Sequence, residues 1–500
     1  MVSIPAEIFR EYDIRGLADT ELTPPVMEVL GRTLAEYYRD VGDSVTLVGR
    51  DNRWSSFALR DALVRGLTAG GQQVVDLGVV TTPLFYFARI DMGIDAGLMI
   101  TASHNPPQYN GLKVAHGFAT IYGEQIQDLR KRAEEVAARL VQGGVSPGPA
   151  GVAGASEGRA ETPGAAAATS GQVTQVDKGP DYLRMLQDKI RLGPRRLKIV
   201  VDCGNGTGSL FAVPYLKGLG CEVIPLYCES DGHFPHHQPD PTVSANMKDL
   251  AARVVAEKAD AGIGFDGDAD RIGVVDDQGQ ILWGDELMVL FWREILPRHP
   301  GTTAIVEVKC SQALVEEIQR LGGRPLWYKT GHSLIKAKMK EIGAVFTGEM
   351  SGHMFFADEY YGFDDAFYAA GRLLRILSHS SQSLSQMRTT IPHYCSTAET
   401  RVPCTEESKF HIVAGIRDTF RSRLETAERS DPGRPVEVIA VDGARVVFPD
   451  GWGLVRASNT QPVIVARCEG RSEAALHRIE ALMKAELMKY PEVQPFEWAY

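Results

Sequence analysis

Val45-Thr46-Leu47-Val48-Gly49-Arg50-Asp51 opens a plan that recurs along the chain and decides its fold. A short apolar strand ends in a polar turn, after which apolar Leu59, Leu63, Val64 and Leu67 recur at helical spacing up to Gly70-Gly71. Apolar positions at the 3.6 period, closed by glycine, predict a helix and its C-cap. A second strand (Val74-Val75-Asp76-Leu77), a further helix and the apolar strand Ala96-Gly97-Leu98-Met99-Ile100 follow. The order returns at Leu197-Lys198-Ile199-Val200-Val201, with a polar turn, a helix to Gly220 and the strands Glu222-Val223-Ile224-Pro225-Leu226 and Ala261-Gly262-Ile263-Gly264-Phe265. It returns a third time at Thr303-Ala304-Ile305-Val306-Glu307-Val308, with a helix to Gly322-Gly323 and a strand Ala344-Val345-Phe346. Strands alternating with helices predict mainly parallel sheets flanked by helices, whose ligand-binding loops lie past the strand C-termini.

The last segment breaks the plan. Residues 443–448, the turn Pro449-Asp450-Gly451 and residues 453–456 read as a hairpin, followed by strand Val463-Ile464-Val465-Ala466-Arg467 and a helix from Ser472. The expected architecture is three similar mixed α/β domains, at 1–141, 177–281 and 282–391, plus a C-terminal α+β domain at 392–500, around a central cleft. Residues 142–176 are dense in Gly, Ala, Pro and Ser without an apolar face, so they read as a linker or long surface loop.

Five hundred residues exceed one core and fit roughly three or four domains. A net charge of -11 argues against a nucleic-acid or anionic-membrane partner. Seven cysteines without CxxC spacing read as free thiols in a reducing compartment. No signal-peptide plan opens the chain and no apolar run approaches ~18 residues, so a cytoplasmic location is expected.

Three strand-end loops carry chemistry. The first is Thr101-Ala102-Ser103-His104-Asn105-Pro106, which delivers a hydroxyl, with Tyr109-Asn110-Gly111-Leu112-Lys113 bringing a cation one loop later. Alone, Ser103 could merely cap a turn. The second is Asp266-Gly267-Asp268-Ala269-Asp270-Arg271, whose three alternating carboxylates repel one another unless a divalent cation offsets them. Hard oxygen ligands select Mg²⁺ or Ca²⁺. An EF-hand does not fit, because its sixth and twelfth positions hold Arg271 and Asp277 and strand-like residues follow. The third is Gly348-Glu349-Met350-Ser351-Gly352-His353, where a carboxylate and a hydroxyl suit two neighbouring sugar hydroxyls. In the last segment Arg456, Ser458, Asn459 and Thr460 bring a fork of N–H donors and short polar groups suited to a phosphate.

Other polar runs read as structural. Gly204-Asn205-Gly206-Thr207-Gly208-Ser209 lacks the third glycine of a dinucleotide loop, and His233, His236 and His237 lack partners at ligand spacing. The opening Phe9-Arg10-Glu11-Tyr12-Asp13-Ile14-Arg15-Gly16 reads equally as a solvated arm or as a segment folded into a site.

TASHNP with YNGLK, DGDADR, GEMSGH, RASNTQP and FREYDIRG together resemble the α-D-phosphohexomutases along all four parts of the chain. The resemblance implies a serine carried as phosphoserine that gives and takes phosphoryl, interconverting hexose 1- and 6-phosphates through a hexose 1,6-bisphosphate. It assigns catalysis to Ser103, His104, Lys113, Arg15 and Arg271, with the proton acceptor open among Lys113, His104 and Arg15. It assigns Mg²⁺ to Asp266, Asp268, Asp270 and an oxygen on Ser103. Substrate contacts fall to Tyr12, Lys309, His332, Glu349, Ser351, His353, Arg456, Ser458, Asn459 and Thr460, with Lys329 a further match. Partners are then small sugar phosphates. The choice among glucose, mannose and amino sugars and the oligomeric state are not set by these motifs. A metal-dependent phosphatase would use the same aspartates without needing Ser103, and a non-enzymatic sugar-phosphate sensor would keep the binding loops without labelling at the serine, whereas a serine acyl hydrolase would need G-x-S-x-G around its nucleophile.

Overall fold

The computed structural model describes residues 2–142, 171–428, 431, 433–458 and 462–500. The chain divides into two units, one of residues 1–272 with 365–371, the other of 273–364 with 372–500.

In the first unit, strands β1 (Ile14–Leu17), β2 (Val45–Arg50), β3 (Gln73–Val79), β4 (Ala96–Ile100), β5 (Tyr109–His116), β6 (Ala119–Thr120) and β7 (Val173–Gln175) form one sheet. Its order is β1-β5-β4-β2-β3-β7, with β6 paired to β5. β2 pairs in parallel with both β3 and β4, as crossover helices require. β5 returns antiparallel to β4 with Met99 opposite Lys113. Lys113 therefore stands on a strand rather than in a loop, and a buried strand holds its side chain more firmly.

FREYDIRG is not a solvated arm. Ile14–Leu17 pairs antiparallel with β5, and buried Ile8, Phe9 and Ile14 join the core of Leu30, Leu34, Leu63 and Leu98. The helices Pro24–Asp40 and Ser56–Ala69 pack with backbones in contact, since a Cβ on Gly66 would lie 2.2 Å from the Glu28 carbonyl oxygen. The compositional linker runs to 176, yet Val173–Gln175 is an edge strand parallel to β3; its preceding part, 143–170, lies outside the described residues.

The second repeat places β8 (Lys198–Asp202) between β9 (Glu222–Leu226) and β10 (Ala261–Phe265), all parallel. The 204–209 turn is structural: Thr207 N donates to the Gly267 carbonyl, and Gly206 abuts the Gly267 Cα. His236 stacks on Tyr227 with centroids 4.0 Å apart and His237 Nε2 lies 3.1 Å from Asp202 Oδ2, so these histidines brace a loop.

The same sheet continues through β11 (Ile272–Asp276), which begins on the last residue of the first unit's 1–272 segment and pairs antiparallel with β12 (Ile281–Leu282). β13 (Thr303–Glu307) and β14 (Arg324–Tyr328) pair in parallel. The helix His332–Ile342 then stops at left-handed Gly343, and β15 (Phe346–Gly348) pairs antiparallel with β16 (Met354–Phe356). The strand expected at 344–346 is displaced towards 348, because the helix and its cap occupy the chain through Gly343. The expected hairpin forms: β20 (Ala444–Phe448) and β21 (Gly451–Ala457) join through Pro449-Asp450, in a sheet ordered β17-β22-β21-β20-β19. There β17 is Cys395–Ser396, β18 (Thr400–Pro403, paired to β22), β19 Glu437–Ile439 and β22 Val463–Gly470. Ser472 caps the helix Glu473–Leu487 by accepting from Ala475 N.

Candidate active site

β4 ends at Ile100, and the chain turns so tightly that Ser103 takes a left-handed φ of +50°. Side-chain-bearing residues are rare in that region, so its surroundings must hold it there. Across from it, Gly267 leaves room that a Cβ would fill, coming within 2.4 Å of the Ser103 carbonyl oxygen. This approach brings Ser103 Oγ to donate to Asp266 Oδ2 at 2.7 Å, with His104 Nδ1 at 3.2 Å from the same hydroxyl.

Asp266, Asp268 and Asp270 are fully buried, with a carboxylate oxygen from each lying within 4.8 Å of the others. Asp266 Oδ1 accepts from the backbone N–H groups of Asp270 and Arg271 at 3.0 and 3.1 Å. Thr82 Oγ1 donates to Asp268 Oδ2 at 2.6 Å, while Asp268 Oδ1 is buried without a hydrogen-bond partner among the described residues. Lys113 Nζ lies 2.6 Å from Asp270 Oδ2 and 3.5 Å from Asp268 Oδ2, and Arg271 Nε 4.0 Å from Asp266 Oδ2. Burial first, then the charges of Asp270 and Asp268, push the Asp266 carboxyl well above the usual range. An orphaned buried oxygen and clustered hard carboxylates fit a divalent cation, and the site can hold a metal ion.

Arg15 reaches the same loop, with Nη1 donating to Asn105 Oδ1 at 2.8 Å and Nη2 paired to Asp13. Tyr12 is half-buried. Two residues missed in the sequence belong here. Thr82 holds the Asp268 carboxylate, and fully buried Arg53 donates to the Ser103 carbonyl at 2.7 Å. The available signal is position, since Asp51 to Arg53 and Thr82 follow the C-termini of strands in the same sheet.

The second unit gathers another set. Lys309 Nζ lies 3.1 Å from Glu399 Oε2 and 3.8 Å from Glu307 Oε1. Burial alone would lower the Lys309 pKa, but Glu307 and Glu399 reverse this and raise it. Glu349 Oε1 accepts from Gly331 N at 2.8 Å, and its carboxyl is raised chiefly by burial. Arg456 Nε donates to Asp442 Oδ2 at 3.0 Å, and the same oxygen accepts from Thr330 N, whose hydroxyl donates to Glu307. Lys309 and Arg456 are thus linked through Glu307, Thr330 and Asp442, and Glu349 joins them through Gly331, the residue after Thr330. Ser351 is half-buried at the turn between β15 and β16, and Ser458 is buried with its N–H on the Val463 carbonyl.

His332 and His353 stack with centroids 5.3 Å apart, their Nδ1 atoms 3.6 and 3.2 Å from Asp364 Oδ2, and Lys336 Nζ lies 2.8 Å from Asp364 Oδ1. Burial would raise Asp364, but Lys336 and the two histidines hold it well below the usual range. His353 is thereby buried with its ring on Asp364, and its carbonyl accepts from Glu349 N at 2.8 Å. Asn459 and Thr460 lie outside the described residues.

Comparison with known proteins matches this chain in four consecutive stretches. They are "Phosphoglucomutase/phosphomannomutase, alpha/beta/alpha domain I" over residues 6–140, domain II over 180–279, domain III over 283–394, and the C-terminal domain over 399–486. A phosphomannomutase/phosphoglucomutase of Pseudomonas aeruginosa is 42% identical over 97% of this chain and 96% of its own length. A phosphoglucomutase of Neisseria gonorrhoeae is 40% identical over 99% of each chain. The crystal structure of a phosphoglucomutase/phosphomannomutase family protein from Burkholderia thailandensis superposes with a TM-score of 0.84 at 39% identity, covering 99% of this chain and 100% of that one. With four matched domains in order and relatives aligned nearly end to end, the chain belongs to the phosphoglucomutase/phosphomannomutase family, the α-D-phosphohexomutases.

Proposed function

We propose that this enzyme is a phosphohexomutase that interconverts hexose 1-phosphate and hexose 6-phosphate, with glucose, mannose or both as the sugars. The observation that carries the reading is Ser103 Oγ, 2.7 Å from a carboxylate of the buried aspartate cluster on a loop held in a left-handed turn. In the resting enzyme Ser103 is phosphorylated, which adds roughly -2 charges beside three carboxylates. Asp266, Asp268 and Asp270 would hold Mg²⁺, which when bound offsets this charge and polarises the phosphoryl oxygens.

Phosphoryl transfer depends on alignment and charge stabilisation more than on covalent assistance. Arg456, Ser458, Asn459 and Thr460 bind the phosphate of the sugar 1-phosphate, while Glu349 and Ser351 take the 3- and 4-hydroxyls. The 6-oxygen attacks the phosphoserine phosphorus, the bond to Ser103 Oγ breaks, and the hydroxyl proton is relayed through one of His104, Lys113 or Arg15 to the serine oxygen as it leaves, so that the relaying group keeps its charge. Lys113 and Arg271 neutralise the charge that builds on the leaving serine oxygen. The hexose 1,6-bisphosphate turns over in the site and returns its 1-phosphoryl group to Ser103.

The test is conversion of glucose 1-phosphate to glucose 6-phosphate and release of inorganic phosphate, by wild type and by Ser103→Ala. The reading predicts mutase turnover with little phosphate release in the wild type, and loss of turnover by several orders of magnitude in the variant. Phosphate release that persists in Ser103→Ala would make the protein a phosphatase.

A further inference from the structure

We propose that Arg53 is the positioning residue of the phosphoryl-carrying serine: its buried guanidinium moulds the Ser103 loop, so losing it slows phosphoryl transfer without weakening sugar-phosphate binding. The proposal rests on Ser103 being the phosphoryl carrier.

A guanidinium has five N–H donors in a planar fork. In Arg53 each has an acceptor. Nε donates to Asp51 Oδ2 at 3.1 Å. Nη1 donates to the carbonyls of Pro106 and Tyr109 at 2.7 and 3.1 Å. Nη2 donates to the carbonyls of Ser103 and Asn105 at 2.7 and 2.6 Å. Four of the five acceptors are therefore main-chain oxygens of one segment, residues 103–109, drawn towards a single centre.

That centre is itself anchored. Asp51 Oδ1 accepts from Arg53 N and from Ser56 Oγ. Asn110, the second residue of β5, donates to the hydroxyls of Ser55 and Ser56 at 2.8 and 2.9 Å, tying the helix side to the strand that leaves the loop. Phe234 covers the guanidinium at 5.0 Å, and Gly232 lies so close that a Cβ would come within 2.3 Å of the Asn52 carbonyl oxygen. The side chain is fully buried.

With all donors engaged and no exposed surface, Arg53 has nothing to offer a substrate. What it fixes is the carbonyl of Ser103, the residue held at φ +50° with Oγ on Asp266. A misplacement of about 1 Å at a reacting group costs on the order of 100-fold in rate, even when substrate binding is intact. Lysine supplies three donors from one point and cannot reach this set of acceptors. A merely structural role would lower stability or the fraction of active molecules, and leave the rate per phosphorylated site unchanged.

The experiment uses the full-length protein, Arg53→Lys and Asp51→Asn, each loaded with glucose 1,6-bisphosphate and its Ser103 phosphate counted by intact mass and peptide mapping. Rapid-quench transfer to glucose 1-phosphate is then measured per mole of phosphoserine, alongside steady-state KM. The expected result is a transfer rate about 100-fold lower in Arg53→Lys and at least about tenfold lower in Asp51→Asn, with KM within about twofold of wild type. If Arg53→Lys does not fold, the nearly isosteric Asp51→Asn decides the question. A rate per phosphoserine within about twofold of wild type in the folded variant overturns the proposal, as does a proportional rise in KM or failure of both variants to fold. A wild type that carries no phosphate on Ser103 after loading sinks the functional reading itself, a result distinct from labelled variants that transfer normally.

Discussion

Replacing Lys113 by methionine keeps an aliphatic side chain of similar length and removes a cation from among three fully buried carboxylates. Its Nζ lies 2.6 Å from Asp270 and 3.5 Å from Asp268, and its side chain is only 4% exposed. At an effective dielectric of about 20, those separations give gross attractions of about 6 and 5 kcal/mol, much of which offsets the cost of burying the ions. Removing one member of such a buried cluster leaves uncompensated charge, for which about 3–5 kcal/mol is expected. In a unit of this size each kcal/mol shifts the midpoint by about 2–4 °C, so the corresponding thermal transition falls by roughly 6–20 °C in EDTA. Calorimetry in EDTA and again with Mg²⁺ provides the assay. Cation binding to the same carboxylates contributes about 2.7 kcal/mol at 100 times its dissociation constant, and the variant lacks the lysine that competes for them, so Mg²⁺ narrows the gap. A variant that unfolds in EDTA within about 2 °C of wild type would refute the claim that Lys113 compensates the cluster.

Thr82→Val removes the hydroxyl held by Asp268 at 2.6 Å and should weaken Mg²⁺ by about 10- to 100-fold, read by titration of activity; an unchanged midpoint contradicts it. Arg456→Ala should raise KM for glucose 1-phosphate and mannose 1-phosphate alike, by about 10- to 150-fold for ~1.5–3 kcal/mol, and weaken inhibition by inorganic phosphate. Ser351→Ala should impair both sugars while leaving phosphate inhibition intact; an effect of Arg456→Ala on one sugar alone would remove it as the shared clamp. Burial lowers the pKa of His237, but its hydrogen bond to Asp202 and that residue's charge outweigh it, so the folded value is raised. The stabilisation is therefore complete below the ordinary histidine value of about 6.5 and lost as pH rises through the raised value. His237→Gln should destabilise the protein at pH 5.5–6 more than at pH 9, and an equal loss at both contradicts the assignment.

The residues that stand out in the sequence are those whose type breaks a local pattern. Ser103 ends an apolar run that becomes β4, and alternating Asp266, Asp268 and Asp270 end another that becomes β10. Glycines at the ends of apolar helical stretches likewise mark the repeats. Arg53 is illegible there because a charged residue in the polar turn Gly49-Arg50-Asp51-Asn52-Arg53 is ordinarily solvated, and only tertiary folding shows that four carbonyls of a segment fifty residues on surround it. Lys309 with Glu399 and His353 with Asp364 are pairings of the same kind, set by packing rather than spacing. The opening FREYDIRG carries no periodic signal because β1 is only four residues long, and its place is fixed by pairing with β5.

The central claim, a phosphoryl group carried on Ser103, is tested most directly by the intact mass of the purified protein before and after glucose 1,6-bisphosphate, with peptide mapping and Ser103→Ala as control. The account predicts one phosphate per chain after treatment, mapped to Ser103, lost on exposure to excess hexose monophosphate, and absent from the variant. An unmodified wild type that nonetheless turns over hexose phosphate, or a phosphate that maps elsewhere and persists in Ser103→Ala, would contradict it.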